Sequence, residues 1–138
     1  MTEIIPQLLW VGVVHESRDL RRLYDLGVEA VADFAASEPP AVLGRDMVYC
    51  RIPISDGVGN PHELLRLCVQ TVEQLLRAGR PTLVVCGAAL SRSPAIAAVA
   101  WARVRGVAPE LVLKEVAAQH QCNVSPGFWS ELLTAMRD

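Results

Sequence analysis

Cys86 and Arg92 bracket a short run of small residues in Cys86-Gly87-Ala88-Ala89-Leu90-Ser91-Arg92-Ser93-Pro94. A thiol, a loop whose backbone can approach a ligand closely and a guanidinium together suit the capture and attack of a phosphate group. A loop that runs into a helix aims several N–H groups into one space, and the helix dipole adds positive potential there. Arg92 can fork onto two phosphate oxygens. The same field favours the thiolate of Cys86, which is the nucleophilic form. The competing reading is a buried structural cysteine beside a surface arginine, so the flanking sequence matters.

That flanking sequence supplies a strand, a loop and a helix. Thr82 to Val85 is a β-branched, apolar run that predicts a buried strand. Gly87 to Ser91 reads as a loop. An Ala-rich helix is expected from Ser93, with Ser93 as N-cap and Pro94 at the first helical position. The thiol then sits at a strand end and the arginine where a helix begins. A second element, Ile52-Pro53-Ile54-Ser55-Asp56-Gly57-Val58-Gly59-Asn60-Pro61, is a strand end followed by a loop with two glycines. Taken alone, Asp56-Gly57 is an ordinary turn pair.

Cys-x5-Arg followed by Ser in this context resembles the cysteine-dependent protein tyrosine phosphatases, and the wider chain resembles their small dual-specificity branch. The opening Ile4-Ile5-Pro6-Gln7-Leu8, the Ile52-Pro53-Ile54-Ser55-Asp56 segment and the closing Gly127-Phe128 with Leu132 extend the resemblance over most of the chain. It implies an α/β fold with a mainly parallel central sheet, helices on both faces and the site at the strand carboxyl ends. It also implies hydrolysis of phosphomonoesters through a phosphocysteine, with no metal and no cofactor. On that reading Cys86 attacks, and the amides of Gly87, Ala88, Ala89, Leu90 and Ser91 hold the phosphate oxygens with Arg92. Asp56 is the general acid and then the base. Ser93 gives its hydroxyl to the departing sulfur.

The loop interior carries no Lys or Arg, which ranks a phosphorylated protein or an aryl phosphate above a polyphosphorylated inositol as substrate. Phosphate-like oxyanions are expected to occupy the same loop. Three positions depart from the family pattern. Val85 stands where a His usually precedes the nucleophile. Ala89 stands at a usual Gly, where a positive φ costs a methyl-bearing residue roughly 1 kcal/mol. Val124 and Ser125 replace a Pro-Asn pair. These departures leave a second reading open, a phosphatase-like phosphate-binding module with weak or no turnover. Rhodanese chemistry gives Asp56 no role. Low-molecular-weight phosphatases and arsenate reductases place the nucleophile first and the acid downstream, the reverse of the order here.

The 138 residues predict a single catalytic domain, 1–138, with 51% apolar and 20% charged residues marking a globular chain. The net charge of −2 gives no footprint for nucleic acid or a membrane surface. No apolar run approaches a membrane span and no signal pattern is seen. The four cysteines form neither a metal motif nor a disulfide framework, which suits the reducing cytoplasm a thiolate nucleophile needs. Nothing in the sequence points to an oligomeric state.

The remaining elements follow from periodicity and breakers. Residues 4–12 predict two short strands about Pro6. Ser17 is expected to cap a helix to about Leu26, ended by Gly27. Val28 to Phe34 and Met47 to Ile52 predict strands on either side of a loop over 35–45. Asn60 is the expected N-cap of a helix that starts at Pro61, with Glu63 in a capping box and Cys68 on its apolar face. Pro94 to Val104 predicts a buried central helix. Pro109 to His120 predicts another, with Leu113, Val116 and Ala117 inward, and Ser125-Pro126 opens the last. Cys50 reads either as a redox partner for Cys86 or as a small strand residue.

Overall fold

The computed structural model describes residues 1–137. A five-stranded sheet runs through it, from strands β1 (Thr2–Ile5), β2 (Leu9–Val13), β3 (Ala30–Asp33), β4 (Val48–Arg51) and β5 (Thr82–Cys86). The strand order is β1-β2-β5-β3-β4. β1 pairs antiparallel to β2, and every other pairing is parallel. The strand that ends in the thiol is therefore the central one. Parallel strands need both faces covered, which is why Thr82–Cys86 reads as an unbroken apolar run and is buried throughout.

The helices cover both faces. Alternate residues of the strands fall into two separate apolar clusters. Leu9, Val11, Ala32 and Val84 pack with helices α2 (His62–Arg77), α3 (Arg92–Arg105), α4 (Pro109–Gln119) and α5 (Pro126–Arg137). Trp10, Val31, Leu83 and Val85 pack on the other face with Val14, Leu23 and Val28, beneath a short 3-10 helix over Val14–Arg18 and helix α1 (Leu20–Leu26). The period-2 alternation of side chains across a strand accounts for this division. α3 is the central helix expected, with every residue from Ser93 to Ala100 buried.

Several boundaries differ from the sequence expectations, each for a local reason. Ser17 does not cap α1. Its hydroxyl donates to the Val14 carbonyl at 2.6 Å inside the 3-10 turn, and Asp19 takes the Arg22 N–H instead. The strands around the 35–45 loop are shorter than the apolar runs that announced them. In α4 Val112 and Val116 are buried and Leu113 is half-buried against the core, as expected for Val116 and Leu113, while Ala117 is exposed. α3 opens at Arg92, so Ser93 lies inside the first turn rather than at the cap.

α2 is fastened to α3 by Glu73, whose carboxylate accepts from Arg77 at 3.0 Å and from Arg103 at 2.7 Å. Burial pushes the Glu73 carboxyl up, but the hydrogen bonds and charges of the two arginines outweigh it and leave the group below its usual range. Among the described residues no helix is long and apolar enough to cross a membrane.

Candidate active site

The carboxyl end of β5 meets the start of α3 through the loop 87–91, and the pocket lies in that turn. It encloses about 210 Å³ and is lined by Asp56, Cys86, Ala88, Leu90, Ser91, Arg92, Asn123 and Ser125. Asp56, distant in sequence, is thus brought to the same cavity as Cys86 and Arg92. Asn123 and Ser125 are lining residues that sequence reasoning missed. The signal for Ser125 was present only as a departure from the Pro-Asn pattern, which marked it as something lost, and Asn123 gave none.

Cys86 is buried to 1% exposure at the pocket floor. Its thiol donates to the Ser93 hydroxyl at 3.2 Å, and the Ser93 N–H points back at the sulfur at 3.4 Å. An N–H from the first helical turn aimed at sulfur has the polarity that a thiolate needs. Ser93 is fully buried and makes its contact from within the helix. Among the described residues, the N–H groups of Gly87 to Ser91 donate to no protein acceptor. Five backbone donors are left unspent beside a helix start, an arrangement that can receive an anion.

Arg92 is held on one edge. Its Nη1 donates to the carbonyls of Ile54 at 2.9 Å and Phe34 at 3.3 Å. Those carbonyls come from the segment leading to Asp56 and from the end of β3. One guanidinium nitrogen thus ties two strand ends to the loop, and the rest of the fork stays turned to the pocket it lines.

Asp56 reaches over the pocket from the opposite side. Its Oδ1 accepts from the Ser91 hydroxyl at 2.7 Å and its Oδ2 from the Ser125 hydroxyl at 2.9 Å. The Ser91 oxygen in turn accepts the Ser125 N–H at 3.0 Å. This triangle fixes the carboxyl group against the phosphate loop. Ser125 occupies the position of the missing Asn and supplies a brace of its own.

The loop around Asp56 has the backbone freedom expected of it. Gly57 and Gly59 sit at φ 92 and 101, a region that side chains disfavour. Asn60 is not the helix cap. Its amide clamps Ser55, accepting the Ser55 N–H at 2.9 Å and donating to the Ser55 carbonyl at 2.8 Å, and α2 starts after Pro61 with no side-chain cap. The loop docks on α5, where the Gly59 N–H donates to the Glu131 carboxylate at 3.0 Å. Val58 packs so closely on Gly127 that a Cβ there would lie 2.7 Å from it.

The other thiols stand apart. Burial pushes the Cys68 thiol up to about 12, and it also raises Cys122. Cys50 lies on edge strand β4, opposite Ala32, which in turn pairs with Val84. Two strand spacings, about 9.5 Å, separate Cys50 from β5, beyond the roughly 7 Å that a disulfide can span. The fold therefore speaks for a strand residue rather than a redox partner. Among the described residues no cluster of three or more His, Cys, Asp or Glu is placed to hold a metal ion.

Two departures from the family pattern have visible consequences. Val85 points away from the pocket into the apolar cluster under α1 and is fully buried. Ala89 does adopt the left-handed backbone, at φ 58, and is almost fully buried. At an ordinary backbone position Ala→Gly costs roughly 0.5–1 kcal/mol. Relief of the left-handed strain offsets that cost here, so Ala89→Gly is expected to leave unfolding free energy unchanged or raise it by up to about 1 kcal/mol. Urea denaturation measures this, and a loss of 1 kcal/mol or more contradicts the strain.

Comparison with known proteins bears on the fold. Human DUSP28 superposes with a TM-score of 0.85 at 22% identity, over 99% of this chain and 96% of that one. A mouse putative dual specificity phosphatase, solved with zinc tungstate, gives 0.84 at 20% identity over 99% and 86%. DUSP15 gives 0.80 at 27% identity over 96% and 84%. No protein-family model and no curated protein sequence matches the chain.

Proposed function

We propose that this chain, which has the fold of the small dual-specificity phosphatases, is a phosphomonoester hydrolase of the Cys-x5-Arg class. The observation that carries the reading is the convergence of Cys86, Arg92 and Asp56 on one pocket rimmed by unspent backbone N–H groups. A binding module has no need of a thiol at the floor or a carboxyl group fixed across from it. The substrate is a phosphorylated protein side chain or another aryl phosphate. A protein with this fold solved with zinc tungstate supports the reading that this fold can bind an oxyanion.

The reaction has two steps. Cys86 Sγ attacks phosphorus, the P–O bond to the leaving group breaks, and Asp56 gives that oxygen a proton. Arg92 and the amides of residues 87–91 hold the three remaining oxygens as charge shifts among them. Water then attacks the phosphocysteine, Asp56 takes its proton, and the S–P bond breaks. Ser93, already 3.2 Å from the sulfur, donates its hydroxyl to the departing thiolate. When Asp56 acts as acid, its one O–H must aim at the leaving oxygen. A protonated carboxyl keeps acceptor capacity, so Ser91 and Ser125 can go on donating to it and the loop need not leave the pocket.

The test is rapid mixing with p-nitrophenyl phosphate followed by acid quench. The expected result is a burst of up to one nitrophenolate per chain and a phosphorylated peptide that contains Cys86. Turnover without any phosphocysteine excludes the covalent mechanism, and the absence of turnover returns the chain to a phosphate-binding role.

A further inference from the structure

We infer that His120 is a positioning residue for the phosphate loop, setting the direction in which the Leu90 amide points. The inference rests on the phosphate-loop reading above. His120 follows α4, at the start of the connection to α5. Its Nε2 lies 2.6 Å from the carbonyl oxygen of Ala89 and its Nδ1 lies 2.7 Å from the Thr2 hydroxyl. A carbonyl has no hydrogen to give, so Nε2 carries the proton and donates. In the neutral ring Nδ1 then accepts from Thr2. The imidazole thus bridges the first strand of the sheet and the middle of the loop.

The peptide bond makes this contact matter. The unit joining Ala89 to Leu90 is planar and trans, with its C=O and N–H pointing in opposite directions. Holding the Ala89 oxygen on His120, outside the loop, turns the Leu90 N–H the other way, to the side that lines the pocket. The next unit is treated alike. The Asn123 N–H holds the Leu90 carbonyl at 2.8 Å, which orients the Ser91 N–H. The Ser125 N–H then takes the Ser91 hydroxyl. Three residues of the α4–α5 connection therefore splint three successive residues of the loop.

The splint sits where the backbone most needs it. Ala89, at φ 58, favours a return to negative φ that would swing this peptide out of line. With Val85 turned into the opposite face, no side chain next to the nucleophile supports the loop, and the support comes from His120 instead. Short hydrogen bonds at both ring nitrogens lock the ring itself.

Tungstate affinity, measured by calorimetry on the whole chain, tests this without relying on turnover. His120→Phe keeps the ring volume and loses the donor, and is expected to weaken tungstate binding roughly fivefold to tenfold. His120→Gln reaches the Nε2 position with an amide N–H and is expected to stay within about twofold of wild type. His120→Asn is too short for Ala89 and is expected to behave like Phe, which keeps the test alive if the Phe variant does not fold. In the NMR spectrum, the Leu90 amide is expected to shift on adding tungstate in wild type and His120→Gln, and to lose that shift in His120→Asn. Wild-type affinity in His120→Phe or His120→Asn, with tungstate bound by wild type, overturns the role of His120 alone. A Gln variant as weak as Asn overturns the donor assignment. A wild type that binds no tungstate overturns the phosphate-loop reading and this inference with it.

Discussion

Replacing Cys86 by Ser is expected to lower kcat by on the order of 10⁴-fold or more while oxyanion binding survives. A serine hydroxyl at the pocket floor has no general base to activate it, because the neighbouring Ser93 hydroxyl, which accepts from the Cys86 thiol, is too weak a base to take a proton at neutral pH. The amides of residues 87–91 and the Arg92 fork belong to the backbone and to another side chain, and the substitution leaves them in place. The Ser93 N–H keeps an acceptor in the serine oxygen. Tungstate affinity in Cys86→Ser is therefore expected to fall within about threefold of wild type. Two measurements separate the outcomes. Retained turnover removes the thiol mechanism. Lost tungstate binding in a variant that still unfolds cooperatively shows that the anion site depends on the sulfur rather than on the loop.

The second large effect concerns Asp56. Asp56→Asn is expected to reduce kcat roughly 10²- to 10⁴-fold for phenyl phosphate, whose leaving oxygen needs a proton. The loss is expected to shrink to about tenfold or less for p-nitrophenyl phosphate, whose anion leaves without one. The geometry isolates this effect from repositioning. Asn can accept from one serine hydroxyl and donate to the other, so both the Ser91 and Ser125 contacts have a replacement. Comparing kcat for the two substrates in both proteins gives a double ratio. A ratio near one, with equal losses on both substrates, means that Asp56 positions the loop and does not transfer the proton.

The elements that carry Cys86, Arg92 and Asp56 were legible in the sequence because each depends on local pattern. The apolar β-branched run before Cys86, the small residues after it and the Ala-rich helix beyond Arg92 dictate strand, loop and helix from neighbouring residues alone. The Asp56 loop announced itself through its glycines, which do take positive φ. Even the strain at Ala89 was legible, because the pattern calls for glycine there.

Tertiary structure decided what no local pattern encodes. Asn60 has the sequence of a helix cap, yet its amide is spent on Ser55, since the loop that carries Asp56 has backbone groups to satisfy and α2 begins beyond them. Ser93 reads as a cap but lies inside the first turn, against the sulfur. Arg92 was expected to face phosphate, and it also ties Ile54 and Phe34 to the loop. The contacts of Ser125 and His120 were invisible because their partners, Asp56 and Ala89, lie 69 and 31 residues away. A side chain's own neighbours fix its backbone conformation, whereas the polar group it must satisfy is fixed by which segments the sheet and helices bring together. In this chain the sequence determined which side chains stand at the strand end, in the loop and at the helix start, and the fold alone determined what holds them together.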